Sequence, residues 1–210
     1  MNLSKEAKKE LIISSALELF LQKGINETKI TDIAEKSGVG VASVYRYFEN
    51  KTNILICAAT LFWQKEINKY YEMYNRDEFK NLNGLEKIKS LLYSFLEIYN
   101  HEPQFFSFLE QFDNYIKTEH VSSNLLKNYE ENILNLKDLI LVSIEQGKNE
   151  GLIRKDLNSS EFYITVTHSL MSLCQKLILR GDILESDNII CANAQIELLI
   201  KMSLNYISNK

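Results

Sequence analysis

Between Ala42 and Lys51 the chain gathers side chains able to read a nucleic acid: Ala42, Ser43, Tyr45, Arg46, Tyr47 and Lys51. An arginine can donate two parallel hydrogen bonds to guanine or grip a phosphate. The hydroxyls of Ser43, Tyr45 and Tyr47 can reach phosphate oxygens or base edges. Ala42 leaves room for close approach, or touches a thymine methyl. Lys51 stands at a helix start, where free backbone N–H groups and its own charge together favour a phosphate. Thr28, Lys29 and Thr31 lie just upstream, at the start of the preceding helix, and belong to the same candidate set.

Chemistry of this kind needs a rigid mount, and Ile30–Lys51 (ITDIAEKSGVGVASVYRYFENK) supplies one. A short helix from Ile30 to about Lys36 carries Ile33 as its apolar anchor, and Ala34 lets a neighbour approach. Gly38 provides the backbone freedom for a tight turn and Val39 plugs the corner. A second helix runs from about Val41 to Phe48. At about 100° per residue, Val41, Val44, Tyr45 and Phe48 share one side, which reads as core. Ala42, Ser43, Arg46 and Tyr47 share the other. This is the pattern of a helix-turn-helix whose second helix enters a DNA major groove.

The totals are compatible with that reading. The chain has 210 residues, 45% of them apolar and 25% charged, within the globular range and long enough for two adjoining domains. No apolar run approaches the roughly 20 residues of a membrane span, and the charged N-terminus lacks the apolar core of a signal peptide. A cytoplasmic location is therefore expected. Cys57, Cys174 and Cys191 form no CxxC pair and read as reduced and buried. His101, His120 and His168 have no ligand spacing, so neither a metal nor a cofactor is expected. The net charge of −4 is unevenly spread. Residues 1–52 hold eight basic and seven acidic residues, leaving 16 and 21 beyond, so the slight positive excess falls in the N-terminal part.

One proline, seven glycines and no apolar-polar alternation point to an almost wholly helical chain. The first helix spans about Lys5–Lys23, with Ile13, Ala16, Leu17 and Phe20 at helical spacing and Gly24 ending it. Thr28 is placed to cap the second helix, and Asn50 a long helix from Lys51 to about Asn75. That helix carries Ile54, Leu55, Ala58, Leu61, Phe62 and Trp63, continuing to Tyr70 and Tyr74. A polar link, NRDEFKNLNG, precedes helices at about Leu85–Asn100, Pro103–Lys117 and Ser122–Glu150. Gly147 and Gly151 mark the end of the third of these. Asn158 and Glu161 have capping-box spacing for a helix Ser159–Arg180, and Asp187 could cap a last helix, Asn188 to about Ser208.

The last two helices are apolar on two sides. Phe162, Val166, Leu170, Leu173 and Leu177 form one stripe of the first. In the second, Ile189, Ala192, Ile196 and Leu199 form one line, and Ile200, Leu204 and Ile207 another. Two-sided apolarity needs two-sided cover, and a second copy of the same pair would provide it as a two-fold interface. The expected dimer contacts are Phe162, Val166, Leu170, Leu173, Leu177, Ile196, Leu199, Ile200, Leu204 and Ile207. Aromatics are also concentrated in the body. Phe62, Trp63, Tyr93, Tyr99, Phe105, Phe108, Phe112 and Tyr129, with His168, could line an apolar ligand cavity, although aromatic stripes at helical spacing also serve as packed core.

The run ISSALELFLQKG followed by TKITDIAEKSGVGVASVYRYFENKTNIL resembles the N-terminal region of the TetR family of bacterial transcriptional regulators. The matching positions are Phe20, Lys23-Gly24, Asp32-Ile33-Ala34, Gly38-Val39, Val44-Tyr45-Arg46-Tyr47-Phe48 and Lys51. They cover about the first quarter of the chain. Lys29 departs from the threonine or serine common in the family at that place, though a lysine can itself reach a phosphate. The resemblance implies an all-α fold: a three-helix head at 1–50, joined by a long helix to an effector-binding and dimerisation bundle at 51–210. It also implies a homodimer on a palindromic double-stranded operator, most often a repressor, released by a small apolar or amphiphilic effector. The alternative is a DNA-binding dimer without an effector, acting through a protein partner. No nucleophile–base pair, phosphate loop or metal spacing suggests an enzyme.

Overall fold

In the computed structural model the described residues are 4–181 and 183–209, without the side chains at 67, 70, 71, 73, 132–136, 186 and 188. Tyr70 is thus outside the described side chains. The order is α1 (Lys5–Lys23), α2 (Ile30–Ser37), α3 (Val41–Phe48), α4 (Lys51–Tyr74), α5 (Asp77–Lys80), α6 (Gly84–His101), α7 (Pro103–Thr118), α8 (Ser123–Asn149), α9 (Ser159–Arg180) and α10 (Ala192–Ile207). The only β pairing among the described residues is an isolated bridge, Ile153 with Ser208. An all-α fold follows from the helical spacing of the apolar residues. No described helix is long and apolar enough to cross a membrane.

Two compact units pack separately. The first comprises Met1–Ile67 and Phe108–Ile133, the second Asn68–Ser107 and Leu134–Lys210. In the first, α1 packs on α2 and α2 on α3. Ile12, Ala16, Leu17 and Phe20 of α1 are buried, as are Ile33, Val44 and Phe48. Along α4 the same unit buries Ile54, Leu55, Ala58, Ala59, Phe62 and Trp63. In the second, α10 packs against α6 and α9, and α6 also meets α9.

Local signals account for most helix ends. Ser4 caps α1 through the Ala7 N–H, Asn50 caps α4 through Asn53 at 2.9 Å, and Asn158 caps α9 through Glu161 at 3.2 Å. Pro103 opens α7, where a missing N–H costs nothing. Three expectations need correction. The polar link holds a short helix, α5, because Phe79 is buried with its ring 4.7 Å from that of Tyr74. Gly147 lies inside α8 rather than at its end. Its backbone faces Gly84 so closely that a Cβ built on Gly84 would sit 2.1 Å from the Gly147 nitrogen. The last helix begins at Ala192 after a 3-10 turn, Glu185–Asn188. Asp187 does not cap it, because its carboxylate pairs with Arg180 Nε at 2.8 Å. The cysteines differ among themselves: Cys174 is buried, Cys57 half-buried and Cys191 exposed.

Candidate nucleic-acid interface

The mount for the reading helix is a helix-turn-helix built as its residue types dictate. Gly38 adopts φ 66°, ψ 18°, the left-handed conformation that favours glycine, and its N–H closes α2 on Ala34 and Glu35. Val39 is buried at the corner. At the other end of α2, the Asp32 carboxylate accepts the Lys29 N–H at 2.9 Å and pairs with Lys23. A lysine ammonium cannot accept in return, so only this half of a capping box forms. The Lys23 hydrogen bond, with the Lys29 N–H, holds the Asp32 carboxyl below its usual range.

On α3 the buried side is narrower than periodicity suggests. Val44 and Phe48, four residues apart, are buried, whereas Val41 and Tyr45 are exposed. A helix of eight residues anchored by one i,i+4 pair presents the rest of its surface outward. Tyr45, expected in the core and also in the contact set, is 49% exposed and so belongs with the second. Ala42 and Arg46 are exposed, and Ser43 and Tyr47 half-exposed. The Arg46 guanidinium lies 5.1 Å from the Tyr47 ring centre. Its Nη2 approaches Tyr47 Oη at 3.3 Å and Ser43 Oγ at 3.4 Å. These three side chains form one basic, hydroxyl-bearing surface, able to donate into a groove edge.

The flanking candidates fall in different places. Lys29 and Thr31 are exposed at the α2 N-terminus, where unpaired N–H groups and the helix dipole favour an anion. Thr28 is 1% exposed and its hydroxyl donates to the Gly24 carbonyl at 2.7 Å. It neither caps α2 nor can reach DNA in this arrangement. Lys51 is half-buried; its Nζ donates to the Asn26 carbonyl at 3.3 Å and lies 5.8 Å from the Tyr115 ring centre. Burial lowers its pKa, opposed by the charges of Glu119 and Glu27.

The expected ligand-cavity residues divide between the two units. Phe62, Trp63, Phe108, Phe112 and Tyr129 belong to the first and are buried there. Phe62 meets Phe108 edge-on at 5.4 Å, and Phe112 lies 4.8 Å from Tyr129. Burial, then Asp113, pushes the Tyr129 phenol well up. Tyr93, Tyr99, Phe105 and His168 belong to the second unit. Phe105 is buried, Tyr93 and Tyr99 half-buried, and His168 exposed on α9, so it is no core histidine. A groove of about 1120 Å³ does lie in the first unit, between α1, α4 and the start of α8. Its walls include Leu11, Ile56, Cys57, Leu61 and Leu125, and none of these nine. No group of three or more His, Cys, Asp or Glu suited to a metal occurs among the described residues.

The dimer expectation also changes in detail. Phe162, Val166, Leu170, Ile196, Ile200 and Ile207 are buried within this one chain. They face its own core and are not free to meet a second copy. Leu173, Leu177, Leu199 and Leu204 are half-buried. The exposed apolar line on α10 is instead Leu198, Met202 and Tyr206, each more than half exposed, with Ile164 and Leu179 on α9. Their i, i+4, i+8 spacing on α10 was visible in the sequence. Which of several apolar stripes turned outward was not.

The fold and the α3 surface define a helix-turn-helix transcriptional regulator. Residues 12–57 match the family described as "Bacterial regulatory proteins, tetR family". The chain is 26% identical over 156 residues to the fatty acid metabolism regulator protein of Bacillus subtilis, spanning 73% of this chain and 75% of that one. The structure superposes on the transcriptional regulator FadR from Bacillus subtilis in complex with stearoyl-CoA, with a TM-score of 0.62 and 17% identity, covering 94% and 98% of the two chains. It also superposes on a chain from Saccharomonospora viridis in complex with choline, with a TM-score of 0.74 and 18% identity over 99% and 100%. Over residues 12–57 the chain carries the helix-turn-helix region of the TetR family of bacterial transcriptional regulators.

Proposed function

We propose that this regulator is a cytoplasmic homodimeric repressor that binds a palindromic operator and is released by a small apolar or amphiphilic effector. The observation that carries the DNA-binding part is the outward face of α3. Ser43, Arg46 and Tyr47 cluster there at the surface, while Val44 and Phe48 hold the helix down from beneath. In this reading Ala42, Ser43, Tyr45, Arg46 and Tyr47 enter the major groove, while Lys29, Thr31 and Lys51 take phosphates. The division of labour places reading in residues 1–50 and sensing and dimerisation in 51–210. Dimerisation uses the outward line Leu198–Met202–Tyr206, since two such lines brought together about a two-fold axis cover each other.

A long-chain acyl thioester is the first effector class to test, by analogy with the relative solved with stearoyl-CoA. Any effector acts only by its differential affinity for the DNA-competent and incompetent states. A second reading, a DNA-binding dimer without an effector, draws support from the close ring packing of Phe62, Phe108, Phe112 and Tyr129. Gel shifts on the DNA upstream of the protein's own reading frame test the first claim. Arg46→Ala and Tyr47→Ala should lose the specific complex while remaining folded dimers; intact affinity in both removes the assignment. Thermal shift with acyl thioesters and cationic amphiphiles separates the two readings, because a ligand of the native state raises the melting temperature by mass action.

A further inference from the structure

The second half of α7 makes a polar clasp on the reading head that the helix-turn-helix pattern does not require. Gln111, Tyr115 and Glu119 recur every four residues and so share one face. Gln111 Oε1 accepts the Ile25 N–H at 3.1 Å, in the loop that follows α1. Tyr115 Oη lies 3.2 Å from Thr52 Oγ1 on the first turn of α4, and its ring lies beside the Lys51 ammonium. Glu119, just beyond the end of α7, acts on the Lys51 charge, as does Glu27 of the head. The ammonium is thus held by the Asn26 carbonyl and the Tyr115 face, and the negative charges of Glu119 and Glu27 add a through-space attraction.

We propose that Lys51 has two competing partners, a DNA phosphate in the complex and the Asn26 carbonyl with the Tyr115 ring in the free protein, so that Tyr115 and the nearby charge of Glu119 set how much of its charge the operator receives. This rests on the DNA-binding reading above. An ammonium has three donors on one flexible stem and can be turned from one partner to the other without moving a helix. An ammonium held by the Asn26 carbonyl and the Tyr115 ring must leave them before it can neutralise a phosphate, and the negative charge of Glu119 opposes that departure, so the affinity gained is smaller by that amount. Tyr115 and Glu119 are positioning residues in this scheme. They touch no base, and they tune the head through Lys51.

A four-member cycle on the full-length protein tests it: wild type, Glu119→Gln, Lys51→Met and the double variant. Each is titrated against a fluorescent duplex cut from the region upstream of the protein's own reading frame. Removing the charge of the exposed Glu119 should tighten binding about two- to five-fold per head, and the gain should vanish in the Lys51→Met background. Glu130→Gln, an exposed carboxylate on α8, controls for the general change in charge and should shift affinity equally with or without Lys51. An equal gain from Glu119→Gln in both backgrounds, or no gain in either, overturns the proposal. Should Lys51→Met fail to fold, Lys51→Gln takes its place in the cycle. Wild-type protein that is dimeric yet binds no site on that duplex overturns the functional reading and this inference with it. Binding with an additive cycle overturns this inference alone.

Discussion

Replacing Gly84 by alanine puts a methyl group where two helix backbones already touch. The new Cβ would lie 2.1 Å from the Gly147 nitrogen and 2.5 Å from both Gly147 Cα and Ser143 O. Those are backbone atoms, so no rotamer change relieves the overlap, and α6 and α8 must part by about 1.3 Å to reach ordinary contact. Parting them also stretches the 2.8 Å bond from Gly84 N–H to Glu150 and the link from Gln146 to the Leu82 carbonyl. Overpacking of this kind costs about 1–3 kcal/mol or more, offset by at most about 1 kcal/mol from the better helix propensity of alanine. With the strained bonds added, a net loss of about 2–3 kcal/mol is expected. For a chain of this size that is a fall of about 5–10 °C in melting temperature, measured by far-ultraviolet circular dichroism. Gly40→Ala is the comparison, because nothing lies within 4 Å of its added Cβ, and it should cost under about 1 kcal/mol. If Gly84→Ala melts no lower than Gly40→Ala, the close backbone approach is not real and the reasoning fails.

Thr28→Val should destabilise the first unit by about 1–3 kcal/mol, since the Gly24 carbonyl loses a buried donor, yet leave the salt dependence of DNA binding unchanged. A shallower salt slope would return Thr28 to the set of phosphate contacts. Met202→Glu places a charge on the exposed α10 line and should yield folded monomers in analytical ultracentrifugation. Leu170→Ala, fully buried, should instead cost about 2–5 kcal/mol without dissociating the dimer; the opposite pattern refutes the outward face chosen here. Asp32, Glu145 and Glu150 are all held below their ordinary range, chiefly by Lys23, Lys148 and the Gly84 N–H respectively. Their contribution is present above the unfolded carboxylate values and lost as pH falls through the lower folded ones. Urea midpoints should therefore drop on acidification below about pH 4.5, and less steeply for Glu150→Gln.

The reading head was legible because its information is local. Phe20 to Lys51 is a run in which each turn residue, cap and apolar anchor acts on neighbours a few residues away. Helix ends at Lys23 and Arg180 follow from the glycines directly after them. A period of 3.6 found the Ser43, Arg46 and Tyr47 face of α3 but put Val41 and Tyr45 with the core, because periodicity does not register how little an eight-residue helix buries. The α10 line at 198, 202 and 206 was equally present in the chain, but periodicity treats every apolar stripe alike. Six residues expected at a dimer surface lie in the chain's own core, three on α9 and three on α10, where these two helices pack on each other and on α6. Likewise the aromatics from Phe62 to Tyr129 carry no mark that separates a cavity wall from a packed ring. That distinction depends on which helices meet, and at what separation. Gln111 and Tyr115 contact residues more than sixty positions earlier in the chain, and Gly84 touches Gly147 across a similar gap. The sequence by itself determined that there is a helix-turn-helix and which residues of its second helix carry hydrogen-bond donors. Only the tertiary structure decided what holds Lys51 in the free protein and which apolar faces are left for a partner, because both arise where distant helices are brought within a few ångströms.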